Sequence, residues 1–599
     1  MKILGLASGR AAPTKEDPTL RRPLADGGAA LIVDGHPLCA VIEERFTRRR
    51  YSGGFAKSLP AVFDSTGIRL ANIDAIAHST CCDVQWDRPD DILDDLKESV
   101  PNLISGLSEK GILGRLYTVN HHDSHCALAF VGSGFDRALV IVSDGMGNRN
   151  GQPGVFNISP NWWEGAFQRH TCYLCEWKAG RLEMERVHED AQMPGEIGLG
   201  EIYRAVTHAL GWRSYQFAGK TMALAAFGDP LVYDRAKFVD HVPPFSIRVN
   251  STNRYDNPVE LVTEIMERAG YVIPEMGDEF FSRHFKIAAN LAATLQSQVE
   301  TALQKSVAAL ADSLDVENIA FAGGVAMNCV ALGKLCSTMP GTGFYVPPAP
   351  SDTGIALGNA LWLAHADESP VCQARRPTAI STAFLGLEYS AREIRDAIQS
   401  LIDQPEAFSV GFIEDDVELI SQLITDLNKQ HVIGLRRGRG EYGPRALGHS
   451  SILADPRSHS MHTKVNAYKK REPFRPFAPS ILEEYVCEYL QIEVPSPFMS
   501  FASSIDPEKR WQIPAVTHID GTARYQSVPK DGGFFRALLE CWYNETGVPV
   551  LLNTSFNLAG EPIVEHPRDA VRSFLDSGLP VLVLGSWYVR NLASYGEVQ

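Results

Sequence analysis

Apolar residues near the N-terminus come in short continuous runs, not at helical spacing. Ile3-Leu-Gly-Leu6, Ala29-Ala-Leu-Ile-Val33 and Leu38-Cys-Ala-Val-Ile42 read as strands, and Asp34-Gly35 between the last two is a strong hairpin signal. Further on, Leu116-Tyr-Thr-Val119 reads as a short strand and Cys126-Ala-Leu-Ala-Phe130 as part of an apolar helix. Ala138-Leu-Val-Ile-Val142 has the pattern of a buried strand, and a second hairpin spans Cys172–Val187 around Ala179-Gly180. Ile287, Leu291, Leu295, Val299, Leu303 and Val307 then recur every four residues, which predicts one long amphipathic helix. It leads into the strand Ile319-Ala-Phe321, the turn Gly323-Gly324 and a helix from Val325.

Twice, therefore, hairpin strands precede glycine-punctuated strand-to-helix turns. That pattern predicts an α/β fold of the duplicated ASKHA (actin, Hsp70 and sugar-kinase) type, whose cleft holds nucleotide phosphates on backbone amides. At 599 residues the chain needs at least two cores. The composition changes between residues 366 and 383, which predicts a linker separating a domain at 1–365 from one at 384–599. The second part alternates helix and strand. Val432-Ile-Gly-Leu435 and Pro580-Val-Leu-Val-Leu584 read as core strands, and Pro549-Val-Leu-Leu552 runs as a strand into Asn553-Thr-Ser-Phe-Asn557.

Hydrophobic content of 44% and charged content of 21% describe an ordinary globular protein. No uninterrupted apolar run reaches transmembrane length, and Met1–Leu6 is too short for a signal-peptide core, so no membrane association is expected. Eleven scattered cysteines with no second CxxC beside Cys172-Tyr-Leu-Cys175 fit a reducing, cytoplasmic setting. A net charge of −16 argues against nucleic acid as a partner. Its distribution adds something: between Arg436 and Arg475 stand ten Lys and Arg against three Asp and Glu, a local excess of seven positive charges. Such a cluster is either a solvated basic face or a pocket for a small, highly charged anion.

Four residues suggest metal chemistry. His121 and His125, in His121-His-Asp-Ser-His125, stand four apart and share one face of a helix. Asp144 follows the Ala138–Val142 strand, and Asp352 sits in Pro350-Ser-Asp-Thr-Gly354 ahead of another small-residue helix. Two imidazoles and two carboxylates suit a divalent first-row metal that keeps an open position for an oxygen ligand. An isolated His pair is more often structural; the turns carrying Asp144 and Asp352 shift the balance toward the ligand reading.

Together with Gly219-Lys-Thr-Met222, Gly323-Gly-Val-Ala-Met-Asn328, Tyr442-Gly-Pro-Arg-Ala-Leu-Gly448, Ser451-Ile-Leu-Ala-Asp-Pro-Arg457, Lys470-Arg-Glu-Pro-Phe-Arg-Pro-Phe-Ala-Pro479 and Leu552-Asn-Thr-Ser-Phe-Asn557, these motifs resemble the O-carbamoyltransferases of the nodulation-protein and antibiotic-biosynthesis family. The resemblance runs from Gly5 to about Val589. It implies a C-terminal YrdC-like domain that condenses carbamoyl phosphate with ATP into carbamoyl-adenylate. It also implies an N-terminal ASKHA-type domain that passes the carbamoyl group to a hydroxyl of a small-molecule natural product or sugar. The metal it implies at His121, His125, Asp144 and Asp352 is iron(II), another divalent first-row ion being the wider class.

On that resemblance Lys469, Arg475 and Arg524 are expected at the carbamoyl phosphate and nucleotide phosphates, supported by Arg445, Ser555 and Asn557. Arginine forks match such oxygens bidentately, and lysine adds a point charge. Lys470 and Arg471 read as solvated neighbours. Lys220, Gly323, Gly324 and Asn328 are the expected nucleotide contacts of the first domain. Many members of the family carry a His-Asp pair before the second strand; here only Asp26 remains, in Ala25-Asp-Gly-Gly-Ala29. The acceptor's general base is then Asp26, a bound water or His122, and the insertion Arg10–Pro23 is expected to shape the acceptor pocket. Two other readings stay open: a threonylcarbamoyl-type transferase acting on tRNA, which the net charge disfavours, and a non-catalytic ASKHA nucleotide-binding regulator.

Overall fold

The computed structural model describes residues 1–8, 26–79, 89–145, 167–192, 197–212, 215–250 and 257–596. The insertion Arg10–Pro23 lies outside the described residues. The chain forms two compact units, one of Met1–Glu43 with Tyr51–Ser381, the other of Glu44–Arg50 with Thr382–Gln599.

The first unit contains the same sheet twice. Its first half has β1 (Lys2–Ala7), β2 (Gly28–Val33), β3 (His36–Ile42), β4 (Ala75–Ser79) and β5 (Leu116–Thr118) in the order β3-β2-β1-β4-β5. Its second half has β6 (Arg137–Ser143), β7 (Phe167–Lys178) and β8 (Arg181–Gln192) and, after the small hairpin β9 (Val239–Val242) and β10 (Ser246–Val249), β11 (Asn318–Ala322) and β12 (Gly343–Tyr345). Their order is β12-β11-β6-β7-β8. In each half the first three strands pair antiparallel and the next two add in parallel to the first strand. A hairpin plus two parallel crossovers, repeated, is the α/β ASKHA arrangement that the glycine-punctuated turns predict.

The helix after each half, His121–Ser133 and Ile355–His365, closes the unit's centre. A Cβ on Gly358 would lie 2.3 Å from the Ser124 carbonyl oxygen, and one on Gly5 would lie 1.8 Å from that of Ala356. The two helices and β1 therefore touch backbone to backbone, which only glycine permits. Asn359 fastens the junction: its Nδ2 donates to the Leu6 carbonyl at 2.8 Å, and its Oδ1 accepts from Ser79 at 3.0 Å and from Ser124. The expected long helix is Phe285–Leu314. The helix expected from Val325 starts later. Residues Gly324–Met327 form a 3-10 turn, and the α-helix Cys329–Thr338 begins where Asn328 accepts from the Ala331 N–H at 3.1 Å.

Residues 366–381, within the stretch read as a linker, lie along the first unit. Asp367 N–H donates to the Leu182 carbonyl, Gln373 N–H to Ala364 and Ile380 N–H to Gly132.

The second unit is α/β around a nine-stranded mixed sheet. Its strands are β13 (Phe408–Phe412), β14 (Ile433–Arg436), β15 (Ser450–Ala454), β16 (Ala478–Leu482), β17 (Phe501–Ser504), β18 (Thr522–Val528), β19 (Val550–Ser555), β20 (Val581–Leu584) and β21 (Trp587–Asn591). They lie in the order β13-β21-β20-β14-β15-β19-β16-β18-β17. Helices Asp416–Asn428 and Gly533–Thr546 contribute Leu419, Leu423, Leu538 and Trp542 to the core with Leu435, Leu453 and Leu551 from the sheet. Trp542 is fully buried and donates its indole N–H to the Val550 carbonyl at 2.9 Å.

Candidate metal centre and anion site

Helix His121–Ser133 starts from an asparagine cap: Asn120 Oδ1 accepts from the N–H groups of His122 at 2.9 Å and Asp123 at 3.2 Å. With the first turn fixed, His121 and His125 share one face, their rings 4.8 Å apart and nearly perpendicular at 89°. Asp144 leaves the end of β6. Its N–H donates to the Arg169 carbonyl on β7 at 2.9 Å, and its Oδ1 accepts from Gly324 N–H at 2.8 Å. That approach needs the glycine pair after β11: Gly323 has φ +87°, and a Cβ there would sit 2.3 Å from the Ser143 carbonyl oxygen. Asp352 is supplied by the turn Asp352–Gly354.

The four side chains converge. His121 Nε2 lies 3.1 Å from Asp144 Oδ2 and 3.4 Å from Asp352 Oδ1; His125 Nε2 lies 3.6 and 3.4 Å from the same oxygens. One donor atom from each falls within 4.8 Å of all the others. Both ring nitrogens of His125 and Oδ1 of Asp352 are buried without a hydrogen-bond partner. Orphaned buried polar atoms are costly and rare, so a bound divalent cation fits this donor set. Burial opposes protonation of His121, but the Asp352 charge and the Asp144 hydrogen bond outweigh it and push the imidazole up to about 10. Burial likewise disfavours the Asp144 carboxylate, yet the hydrogen bond of His121 and the neighbouring His125 imidazole hold it well below the usual range.

Neighbouring groups lock the ligands. Arg169 pairs with Glu201 at 3.0 Å, both buried, and donates to the Gly145 carbonyl, which fixes the Asp144-Gly145 corner. His122 is buried, its Nδ1 2.7 Å from Thr171 Oγ1, and burial together with the nearby His121 keeps it well below its ordinary pKa.

The second site lies along one edge of the nine-stranded sheet. Register places the end of β19 beside the start of β15 (Ser555 with Ser451) and the start of β16 beside β19 (Ala478 with Asn553). The parallel strand β18 brings Arg524 to the same edge. Lys469, at the end of helix Ser460–Tyr468, is buried there and donates to Asn557 Oδ1 at 2.9 Å, Asn557 O at 3.2 Å, Ser555 Oγ at 3.3 Å and the Ser555 carbonyl. It thus shapes the Ser555-Phe-Asn557 loop, in which Ser555 Oγ donates to Asn557 Oδ1 at 2.6 Å. Burial, then the charges of Arg471, Arg475 and Arg50, press the Lys469 ammonium well below its ordinary pKa. Arg471 is pressed down in the same way by burial, Arg475 and Arg524. Glu472, 4.0 Å from Arg475, is the acidic group beside them.

Arg471 is therefore not the solvated neighbour that its position beside Lys470 suggests. Its Nε donates to Asn466 Oδ1 at 2.6 Å and its guanidinium lies over the Phe477 ring, whereas Lys470 is exposed. Arg445 sits half-buried in the loop between β14 and β15. Sequence reasoning also missed Arg50, because the run Arg48-Arg-Arg50 reads as ordinary surface charge.

The other expected residues lie in the first unit. Lys220 stands in the first turn of helix Ala218–Ala225 with its ammonium over the rings of Phe217, at 4.2 Å, and Trp212, at 5.7 Å. Besides capping its helix, Asn328 exchanges hydrogen bonds with Gln296, both at 3.0 Å. Asp26 is buried at φ +56°, where Asp is tolerated better than most residues, just before β2. No helix is long and apolar enough to cross a membrane among the described residues.

An ASKHA-type unit with a His-Asp quartet, joined to a second α/β unit with a cationic sheet edge, is the class of protein that the fold defines. The family model for the carbamoyltransferase N-terminus matches residues 98–361, and that for the carbamoyltransferase C-terminus matches residues 424–591. An uncharacterized protein of Synechocystis sp. is 30% identical across 95% of both chains. The nodulation protein NolNO of Sinorhizobium fredii is 30% identical across 96% of this chain and 80% of its own. The 3'-hydroxymethylcephem-O-carbamoyltransferase of Amycolatopsis lactamdurans is 28% identical across 62% of this chain and 65% of its own. The chain belongs to the carbamoyltransferase family.

Proposed function

We propose that this carbamoyltransferase is an ATP-dependent O-carbamoyltransferase that works in two steps at two sites. In the first, at the YrdC-like second unit, carbamoyl phosphate loses phosphate to water, and the resulting carbamate oxygen attacks the α-phosphorus of ATP. Carbamoyl-adenylate forms and pyrophosphate leaves. In the second, at the ASKHA-type unit, an acceptor hydroxyl attacks the carbamoyl carbon, AMP departs with the electron pair of the broken C–O bond, and the hydroxyl proton is lost.

The observation that carries this reading is the gathering of His121, His125, Asp144 and Asp352 donor atoms within 4.8 Å, in a chain whose family includes a named O-carbamoyltransferase. These residues would hold iron(II) or a similar first-row cation. Such an ion supplies Lewis acidity toward a phosphoryl or carbamoyl oxygen. The protein's own part is to orient. Asn120 fixes the helix carrying both imidazoles, Gly324 fixes Asp144, and Lys220 and Asn328 offer donors to the nucleotide. Asp26 is the candidate base for the acceptor hydroxyl, in competition with water and His122. Burial and its bond to Thr171 make His122 the weaker candidate.

In the second unit, the excess of cations around Arg471, Arg475 and Arg524 supports a site for several phosphoryl charges brought together in a partly dry environment. Lys469 organises the Ser555–Asn557 loop, whose hydroxyl and amide would meet phosphate or carbamoyl oxygens. The acceptor class is a small hydroxylated natural product or sugar.

The test combines two readouts on the purified full-length chain: pyrophosphate release from ATP with carbamoyl phosphate present, and a carbamoyl mass gain across a panel of hydroxylated natural products. Pyrophosphate release without any carbamoylated small molecule, but with modified tRNA, would replace this reading by the threonylcarbamoyl-type one. Nucleotide binding with neither product would leave a regulator.

A further inference from the structure

The second unit is completed by a segment from far upstream, Glu44–Arg50, and its contacts fall on the loops that bear the candidate anion ligands. Arg45 Nη2 donates to the Gly443 carbonyl at 2.6 Å, two residues before Arg445. Arg48 donates through Nη1 to the Ile563 carbonyl at 2.7 Å and through Nη2 to that of Pro562 at 2.9 Å, with Asp569 3.6 Å from its Nε. The next residue of that loop, Val564, donates its N–H to the Phe556 carbonyl at 3.0 Å, between Ser555 and Asn557. Asn557 Nδ2 in turn donates to the Glu561 carbonyl at 2.6 Å, and Ala559 N–H donates to the Lys469 carbonyl at 3.0 Å. Arg48 thus grips the far side of the loop that wraps Lys469, while Arg45 holds the loop of Arg445.

We propose that Glu44–Arg50 is a built-in wall of the anion site and that Arg50 is a further ligand for a phosphoryl group bound there. Arg50 is exposed, two residues beyond the Arg48 anchor, and its charge acts on Lys469. An exposed arginine on a segment anchored to the Lys469 loop, with its charge acting on that lysine, adds to a repulsion that a bound polyanion relieves. The guanidinium fork suits such a ligand bidentately. Arg45 and Arg48 are positioning residues, since their bonds go to backbone carbonyls. The chemistry recognised is a phosphoryl dianion, whether on carbamoyl phosphate or on ATP.

This inference rests on reading the basic cluster as a phosphate site, so the experiment tests both. Full-length wild type, Arg50→Ala, Arg50→Lys and Arg475→Ala are titrated calorimetrically with carbamoyl phosphate and, separately, with ATP. Arg50→Ala is expected to weaken one of the two by about 10–100-fold, the range of one charge-assisted hydrogen bond, and Arg50→Lys to recover part of it. Loss for carbamoyl phosphate places Arg50 at that substrate, and loss for ATP places it at the triphosphate; either supports the proposal. Wild-type affinity for both in Arg50→Ala, with binding lost in Arg475→Ala, overturns the role of Arg50 alone. Wild-type affinity in both variants overturns the phosphate site itself. Because Arg50 is exposed, its replacement leaves the packing untouched, and an unchanged thermal midpoint checks this.

Discussion

The two candidate sites solve opposite electrostatic problems. In the first unit, two imidazoles face two carboxylates, and the acidic pair leaves room for a cation to balance its charge. In the second unit cations act on one another, Arg471 and Arg475 on Lys469, and Arg475 and Arg524 on Arg471, and the pressure lowers the pKa values of Lys469 and Arg471. The quartet's ligands are positioned by backbone supports, the Asn120 cap for the imidazoles and the Gly324 N–H for Asp144. The cationic edge is held against repulsion by the fold and improves when an anion enters. The quartet's residues should therefore tolerate no change in identity, whereas the edge should respond in steps to charge.

The largest expected effect breaks the quartet. His125→Ala or Asp352→Ala should abolish carbamoyl transfer while pyrophosphate release continues, since losing a direct ligand costs more than the ~10–100-fold attached to groups behind the ligands. Metal content by elemental analysis should fall in parallel. Full transfer by a metal-free His125→Ala protein would remove the metal from the reading.

Next comes the cationic edge. Arg475→Ala or Arg524→Ala should slow pyrophosphate release by ~10²–10³-fold, the usual cost of removing one preorganised charge-stabilising donor. The same variants should still transfer from carbamoyl-adenylate supplied from outside. Pyrophosphate release at the wild-type rate would show that the first reaction happens elsewhere.

These two sites were not equally legible in the sequence. His121 and His125 share a face because of helical spacing alone, and Asp144 and Asp352 could be placed at strand and turn ends by their flanking runs. The glycine pair Gly323-Gly324 was legible as a strand-to-helix turn, though not its close approach to Ser143 and Asp144, and the twice-repeated sheet followed from hairpin and turn signals. What spacing could not show was a contact across several hundred residues. The segment Glu44–Arg50 reads as charged surface, and its place in the second unit comes from guanidinium bonds to carbonyls at 443, 562 and 563. Arg471 and Arg169 were missed for a more local reason: what withdraws a charged side chain from water is its partners, Asn466 and Phe477 for Arg471 and Glu201 for Arg169, and spacing does not show them. The boundary was also blurred, because a Pro- and charge-rich stretch looks like a linker even where its backbone bonds to Leu182, Ala364 and Gly132.

Asp26 sharpens the comparison from the side of the acceptor. Asp26→Asn keeps the size and the tolerance for positive φ but loses the charge, so it separates chemistry from turn geometry. Turnover of the acceptor should drop by at least ~10²-fold, within the range of positioned general bases, with pyrophosphate release unchanged. A loss confined to acceptor affinity would make it a binding residue, and no loss would leave it a turn residue.

The smallest effect probes the repulsion itself. Burial and the charges of Arg471, Arg475 and Arg50 disfavour the Lys469 ammonium, so its pKa in the ligand-free protein is lowered. A bound phosphoryl dianion favours the charged form and raises that pKa again. Below the depressed pKa the lysine is charged with or without ligand, and binding takes up no proton. Above it the free protein is neutral at Lys469 and the complex is charged, so binding takes up a proton, and affinity falls with rising pH by up to ~10-fold per unit. The phosphate's own second ionisation, near pH ~6, is complete well before pH 8, which leaves the lysine visible. Calorimetry from pH 8 up to the ordinary lysine value of ~10.4, in two buffers of different ionisation enthalpy, should report this uptake. Lys469→Arg, which stays charged throughout, should abolish it. Zero uptake across that range in the wild-type protein would mean that the ligand does not sense Lys469, and the cationic edge would then owe its affinity to the arginines alone.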